Sequence, residues 1–599
     1  MPNSYFFWHY LAAPKAIIKI IGNYLIFFTH YFSVPLLAKT LLAPWKRQIG
    51  QREKLGWDLN DLATVFVTNV ISRVIGAIIR LATLLTWLLA EILIFILGSS
   101  LLLFWLILPG LTLPLFWLWR PRPSVATTIL QKGRDNPVKV FRLLLQTPAV
   151  KFMCQRLNLS LEELDDLAAN TSWEILTFPP VKNEGELLTF LAQNWPPLEN
   201  YLNQQHIKPT DLLTCFAWYR RLTTRRQKAA KFWHLENLLQ NPGFGKNWTY
   251  GYTPVLDKFT HDLTMTSIEP HHLVGRQIVA EQMERVLTRN QSRNVILIGE
   301  PGIGKQTIML NLARRIKNGQ TSPALAYKRL LNLNLTQILA SGQPAQAIAN
   351  LENLLQEAAQ AGNIILVIPH LASFIQLAET LIKSLQENKI QVIGSSTPDE
   401  YQKTLLPQEE LLKYFEKVEA SAPSLDEAKI ILQDAMVEYE QKTPTLILYQ
   451  AIQEALVKSE EYLTEAPFPE KALDLLDEAC VLATKNNQIL VTAKEVDQVL
   501  SQKTEIPLDK IEKEEIEKLK NLEKMLAEKI IGQKTAIGAI TQTIRRARLG
   551  IASRHKPYGS FLFLGPTGVG KTQTAKVLAG AYFGAEERLI RFDMSEYQG

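Results

Sequence analysis

Ser560-Phe561-Leu562-Phe563-Leu564-Gly565-Pro566-Thr567-Gly568-Val569-Gly570-Lys571-Thr572 joins a short apolar run to a complete GxxxxGK[ST] pattern. Phe561 to Leu564 reads as a buried strand, and TQTAKVLAGAYF after the loop reads as a helix. Glycines let successive backbone N–H groups turn inward around phosphate oxygens. Lys571 offers a mobile cation to the β and γ phosphates, and Thr572 offers a hydroxyl to Mg²⁺ at a helix N-terminus. Gly565, Pro566, Thr567, Gly568, Val569, Gly570, Lys571 and Thr572 are therefore expected to bind nucleotide. A fortuitous glycine-rich turn is the alternative, and the strand before it and the helix after it argue against that.

At 599 residues the chain is too long for one core, and about four domains are expected. Its net charge of +7 is unevenly spread: residues 1–134 hold 13 Lys/Arg against 4 Asp/Glu, so the rest is slightly acidic. That distribution points to a membrane surface and away from nucleic acid. Cys154, Cys215 and Cys480 lack metal-ligand spacing and read as buried, reduced thiols.

From Leu81 to Trp119 the only ionisable residue is Glu91. One helix of that length would be nearly twice what a bilayer of ~30 Å requires. Two membrane helices are expected, at about 74–97 and 100–119, turning at Gly98-Ser99-Ser100. Arg73 and Arg80 precede them and Arg120, Arg122, Lys132 and Arg134 follow, which places both flanks, Lys54 and Lys132 included, in the cytoplasm. Ile17 to Leu37, interrupted by Lys19, Asn23, His30 and Pro35, reads as an interfacial or re-entrant helix, with a third span as the alternative. Glu91 is either a functional carboxylate or a paired one.

An offset of 48 residues pairs Leu143 with Leu191, Pro148 with Pro196, Leu159 with Ile207 and Leu164 with Leu212, which suggests a small helical domain of two similar halves. Arg220-Arg221 with Arg225-Arg226 reads as a charged helix end beside the membrane, or as a nucleic-acid patch. Asn241 to Pro254, rich in glycine and aromatics, reads as a linker, and the charged stretch Lys510 to Lys529 as a solvated linker helix.

Leu273 to Gln277 (LVGRQ), the apolar run Val295 to Ile298 and the loop Gly299-Glu300-Pro301-Gly302-Ile303-Gly304-Lys305-Gln306 repeat the order of IIGQK at Ile530 to Lys534 and the intact loop. With IGSSTPDEYQKTL, FPEKALDLLDEA, IRRARLGI and LIRFDMSEY, these motifs resemble the double-ring Clp family of AAA+ unfoldases, the ClpA and ClpC type, from about Val255 onward. The resemblance implies an α/β fold of P-loop AAA+ modules, each a parallel sheet between helices with a small helical lid. It also implies ATP and Mg as cofactors, and a contribution of Ile531 and Gly532 to the second nucleotide site. The helical repeat then looks like a diverged form of the family's N-terminal domain.

The first module departs from this pattern where hydrolysis needs a magnesium-anchoring hydroxyl, an Asp-Glu pair and basic fingers. Gln306 takes the hydroxyl position, Pro369-His370 the acidic pair, and Lys413-Tyr414 the paired arginines. The segment aligned with the pore loop, Gly342 to Gln346, lacks an aromatic, while the sensor position Thr397 survives. Gly299, Gly302, Gly304 and Lys305 are left as a weak, degenerate nucleotide site. No catalytic residue is expected within the chain, because the second module's acidic pair would follow Gly599; the chain reads as the front part of a longer one.

The expected organisation is a membrane-interface region (1–67), two transmembrane helices (68–122), a helical domain (123–225), a linker (226–262), a degenerate AAA+ module (263–421) with its lid (422–505), and the N-terminal part of a second module (506–599). The apolar segments and charge distribution imply a multi-pass membrane protein with its modules in the cytoplasm and no nucleic acid, and the resemblance adds an ATPase self-assembling into a ring, acting on protein clients or adaptors, with a Clp-type peptidase as a candidate partner. A membrane-tethered pseudo-ATPase acting as an assembly platform is the alternative.

Overall fold

The computed structural model describes residues 5–48, 59–119, 124–133, 136–170, 181, 183–241, 243–266, 274–339, 344–387, 389–463, 466–504, 508–546, 557, 559–566, 568–583, 586 and 589–592. Lys54, Arg120, Arg122, Arg134, Gly342, Gln343 and Thr567 lie outside them. The chain divides into two units, Met1–Ala493 and Lys494–Gly599.

In the first unit, Tyr5 to Tyr31 is helical throughout, with a π-helical stretch at Trp8–Ala12. It packs antiparallel on the 49-residue helix Leu59–Ile107. The pairing is legible in its polar contacts: Trp105 Nε1 donates to the His9 carbonyl at 3.2 Å, Thr29 Oγ1 to Glu91 at 3.2 Å, and Arg80 Nη1 to the Ala43 carbonyl at 2.6 Å. The expected turn at Gly98-Ser99-Ser100 is thus corrected, because helix Leu59–Ile107 runs straight through it. Gly98 serves close approach instead: a Cβ there would lie 2.7 Å from Ile21 Cδ1, so the glycine admits the facing helix. The chain breaks at Leu108, and the short helix Pro109–Trp119 turns back, with Phe116 against Trp8 at 5.3 Å between rings. Among the described residues the helices long and apolar enough to cross a membrane are Tyr5–Tyr31 and Leu62–Ile107, which differ from the expected pair 74–97 and 100–119. Glu91 is paired within the chain, accepting from Thr29 and from Trp87 Nε1 at 2.9 Å.

Helices Pro137–Leu145, Pro148–Leu157 and Leu161–Asn170 are followed by Glu184–Asn194, Pro196–Gln204 and Pro209–Ala230. Pro148 and Pro196 open equivalent helices, with Thr147 capping the first of the two through its hydroxyl. Leu159, Ile207, Leu164 and Leu212 all enter one core with Phe141, Met153 and Trp195.

Asn241 to Pro254 is not a free linker. Phe244 N–H donates to the Tyr31 carbonyl at 2.7 Å, Trp248 stacks on Trp45 at 5.6 Å, and Arg80 Nη2 reaches the Trp248 carbonyl at 3.4 Å. The aromatics expected to mark a tether contact the N-terminal segment instead, Phe244 and Trp248 through Tyr31 and Trp45, before the chain enters the sheet as strand β1.

That sheet comprises β1 (Thr260–Asp262), β2 (Asn294–Ile298), β3 (Arg329–Leu333), β4 (Ile364–Ile368), β5 (Gln391–Ser396) and β6 (Phe415–Glu419), in the order β1-β3-β4-β5-β2-β6. Only β1 is antiparallel to its neighbour. β2, β4 and β5 are buried on both faces, as continuous apolar runs in a parallel sheet should be. Alternate residues divide between two cores: Ile296, Leu366 and Ile368 face helices Pro344–Ala361 and Ala378–Gln386, while Val295, Leu297, Ile365 and Val367 face Gln277–Leu287 and Lys305–Lys317.

The lid is built from Leu425–Lys442, Tyr449–Tyr462 and Glu470–Lys485, with a two-stranded sheet of β7 (Leu446–Ile447) and β8 (Leu490–Val491). The helical domain docks on it. Arg156, almost buried, binds Glu440 through both terminal nitrogens, one at 2.8 Å, while its guanidinium stacks 4.5 Å from the Trp218 ring. Arg225 pairs with fully buried Asp434 at 2.8 Å, and Arg221 stands 3.9 Å from it. Two arginines of the basic run, Arg221 and Arg225, therefore face a lid carboxylate and not solvent, while Arg220 and Arg226 stay exposed.

In the second unit, helices Leu508–Lys529, Lys534–Arg546 and Lys571–Phe583 pack through Leu522, Leu526, Ile537, Ile540, Ile544 and Val577. The helix expected to be a solvated linker carries part of this core. Phe561 to Leu564 forms no strand, and Leu562 and Leu564 stand 82% and 83% exposed. The correction has a simple cause: β2 is held between β5 and β6, whereas no strand is present among the described residues of the second unit to pair with this run.

Candidate nucleotide sites

Both loops take one backbone path. Gly302 and Gly304 have φ of +78° and +88°, and Gly568 and Gly570 have φ of +89° and +92°, values that an L side chain rarely adopts. A Cβ on Gly299 would sit 3.0 Å from Ile303, and one on Gly565 3.1 Å from Val569, so each loop closes on its own apolar residue. Each lysine then folds back: Lys305 Nζ donates to the carbonyls of Gly299 and Glu300 at 2.6 and 3.0 Å, and Lys571 Nζ to those of Gly565 and Pro566, both at 2.7 Å. Helices Lys305–Lys317 and Lys571–Phe583 start at these lysines, so their free N–H groups and positive dipole ends face the loop interior. Thr572 lies exposed in the first turn, while Thr574 is buried with its hydroxyl on the Gly570 carbonyl at 2.9 Å.

The surroundings differ. Around the first loop, Arg276 is buried and binds the carbonyls of Ile303 and, at 3.2 Å, Ser421, tying the loop to the lid junction. Glu470, the first residue of a lid helix, lies so close to Gly302 that a Cβ there would meet Oε2 at 1.6 Å. His370, after β4, has φ of +50° and points Nδ1 at Glu400, 3.5 Å away. Glu400 is fixed by a reciprocal cap with Thr397, accepting its N–H at 3.0 Å and donating N–H to Oγ1 at 3.2 Å. Partial burial lowers the Lys305 pKa, with Glu400 and Glu300 acting in opposition. Of the carboxylates that act on Lys305, Glu400, which follows β5, acts more than Glu300. Its signal was the T-x-x-E box at Thr397 to Glu400; Glu470 had no comparable signal, since only folding brings it to the loop.

A cleft of about 920 Å³ opens on the far side of His370, lined by Thr260, His261, Asn332, Asn334 and Thr336. It lies at the β1–β3 edge and shares no residue with either phosphate loop. Around the second loop, a Cβ on Gly568 or Gly570 would meet nothing within 4 Å, and Ile531 is 93% exposed beside Gly532 at φ +82°. Among the described residues no group of three His, Cys, Asp or Glu side chains is placed to hold a metal.

Residues 424–528 match the AAA lid domain and residues 556–599 the AAA domain (Cdc48 subfamily). Over 420 residues the chain is 32% identical to Chaperone protein ClpB of Oceanobacillus iheyensis and to Negative regulator of genetic competence ClpC/MecB of Bacillus subtilis, covering 58% of this chain and 52% of each relative. The chain thus spans about half the length of these curated relatives. Among solved structures it is similar to the closed state of Hsp104 with ATPγS and FITC casein (TM-score 0.52, 30% identity, 57% of this chain and 62% of that one). The Saccharomyces cerevisiae Hsp104–ADP complex gives a TM-score of 0.50 at 31% identity, over 57% of this chain and 61% of that one. By these matches the chain is similar, over 58% of its length, to Clp and Hsp104 ATPases.

Proposed function

We propose that this chain is a subunit of a membrane-anchored, Clp-like AAA+ ATPase that remodels or unfolds proteins at the cytoplasmic face, with the second phosphate loop as its working site and the first module as a ring-forming scaffold. The observation that carries this reading is one loop present twice in unlike company. The first stands against Glu470 and has Gln306 where a metal-holding hydroxyl belongs; the second is open and followed by Thr572. Mg–ATP, when bound, supplies a phosphoryl group whose cleavage can drive conformational work. The loop N–H groups of Gly568 and Gly570 would hold its phosphates, Lys571 would leave the loop carbonyls for them, and Thr572 would turn its hydroxyl to the metal.

Relatives named as a chaperone and as an ATP-binding subunit of a Clp protease support protein clients and a peptidase as partners. Membrane seating is supported by the chemistry at the two ends of the helix pair. Tyr5, Trp8, Trp105 and Phe116 cluster at one end, while Lys46, Arg47 and Arg80 lie at the other with the sheet module.

The test is binding of a fluorescent ATP analogue to the whole chain. Loss on Lys571→Ala with retention on Lys305→Ala is expected, and the reverse pattern would overturn the assignment of roles. Binding without any phosphate release in membranes would favour the platform reading.

A further inference from the structure

The end of the N-terminal helix, at His30, meets the sheet module in a cluster of cations. His30 lies over Tyr327, 5.4 Å between rings, and a Cβ on Gly319 would stand 2.9 Å from its Cδ2. Gly319 comes just after helix Lys305–Lys317, so the junction closes on the far end of the helix that the first phosphate loop begins. Lys246 enters from the turn Gly245–Trp248, and Lys328 is the residue before β3. Between these groups lies a cavity of about 10 Å³, lined by His30, Lys246, Thr264, Lys317, Tyr327 and Lys328 together with Gly243 and Ile316. It seats one water-sized particle and is too small for a phosphate ester or a nucleotide.

The lining holds three lysines and no carboxylate. His30 Nδ1 is buried without a hydrogen-bond partner, and among the described residues the ammonium groups of Lys246 and Lys317 have no carboxylate or carbonyl partner. The ammonium of Lys328 is held by Gln391. The acid that acts on Lys246 is Asp262, but its oxygens already accept from Arg329 Nε at 2.8 Å and from the Thr264 N–H and hydroxyl at 2.9 and 2.5 Å. Burial, opposed by Asp262 and helped by Arg329 and Lys317, holds the Lys246 pKa below its usual value. The site is thus rich in donors and positive charge and short of acceptors.

We propose that this cavity is a binding site for one small inorganic anion of the halide class, held by Lys246 and Lys317 with His30 donating from Nδ1. Size selects a monatomic ion, and charge selects an anion. A water can accept from His30, but it leaves two ammonium groups near each other in a poorly solvated gap; a monovalent anion accepts from every donor and offsets the repulsion between them. The His30 tautomer with its proton on Nδ1 fits this role. The ion would join three parts of the first unit that lie far apart in sequence: the N-terminal helix, the segment before β1, and the end of helix Lys305–Lys317. It shares no residue with either phosphate loop.

Chloride binding to the whole chain in detergent tests it, read from the line width of the chloride magnetic resonance. Excess broadening that bromide displaces is expected for the unaltered chain, with binding about tenfold weaker in Lys246→Met and in Lys317→Met. No excess broadening, or the same broadening in both variants, would overturn the proposal. Thermal unfolding of the unaltered chain gives a second measure that no variant's folding can obscure. Sodium chloride should raise the midpoint of the first unit by about 3 °C over sodium gluconate at equal ionic strength, saturating with concentration. Equal midpoints in the two salts would mean that water fills the cavity, and the proposal fails. His30→Phe, which keeps a ring against Tyr327, should remove most of the rise; a rise undiminished in this variant and in Lys246→Met would place the chloride effect elsewhere and likewise defeat the assignment.

Discussion

The two phosphate loops are nearly the same object in different settings. Each closes a small apolar residue under its first glycine and returns its lysine to its own carbonyls, so loop geometry alone does not separate a working site from a retired one. Separation comes from neighbours. The first loop is fenced by Arg276, Glu470 and the Glu400–His370 pair, all delivered by elements distant in sequence, whereas the second has open space around Gly568 and Gly570. A negative lid carboxylate beside a phosphate loop opposes the charge such a loop is built to receive. The lesson is that two copies of one loop can share a backbone path while their surroundings differ.

The largest effect that would break this comparison is Arg156→Ala. It leaves Glu440 buried without its partner beneath the helical domain, an expected cost of about 3–5 kcal/mol to the first unit. Denaturant unfolding followed from a probe in each unit should show the first transition move and the second stay. Next, Lys571→Ala should weaken nucleotide binding by about 2–3 kcal/mol, on the order of 100-fold, against less than about twofold for Lys305→Ala. Isothermal titration on each variant decides.

Lys328 sharpens the picture of the first unit. Burial, with Arg293 and Arg47 nearby, pushes its pKa from 10.5 down to about 8, and its ammonium is held by Gln391. Between those pH values the unfolded chain holds a proton that the folded chain has lost, so this group's contribution rises with pH across about 8 to 10.5 and its full penalty applies below 8. Lys328→Met should therefore stabilise the unit by about 1–2 kcal/mol at neutral pH and flatten that rise. The smallest difference concerns glycine. Gly568→Ala should cost about 1 kcal/mol from backbone strain alone, and Gly302→Ala only a few tenths more, because the end of a flexible Glu470 can swing away. Matched unfolding curves would detect a larger gap, and one above about 2 kcal/mol would mean Glu470 is held rigidly.

Much of this was legible beforehand because it depends on local chemistry. The loops, the buried runs of β2 and β4, and the paired helical halves opened by Pro148 and Pro196 all follow from residues within a turn or two of each other. What failed depended on distant partners. Gly98 looked like a turn and proved to be a seat for Ile21; Arg221 and Arg225, read as part of a charged helix end beside a membrane or of a nucleic-acid patch, face Asp434; Phe561 to Leu564 has the composition of a strand without a ladder to join. In the candidate site, the lysines and glycines were readable from the motif, while Glu470 was not, because a lid helix well over a hundred residues later supplies it.

The docking of the helical domain on the lid has a mechanical consequence. With Arg156, Arg221 and Arg225 facing Glu440 and Asp434, the helical domain and the lid are riveted by charged contacts, so a turn of the lid would carry the helical domain with it. A domain hung on a slack cord would dissipate such a stroke.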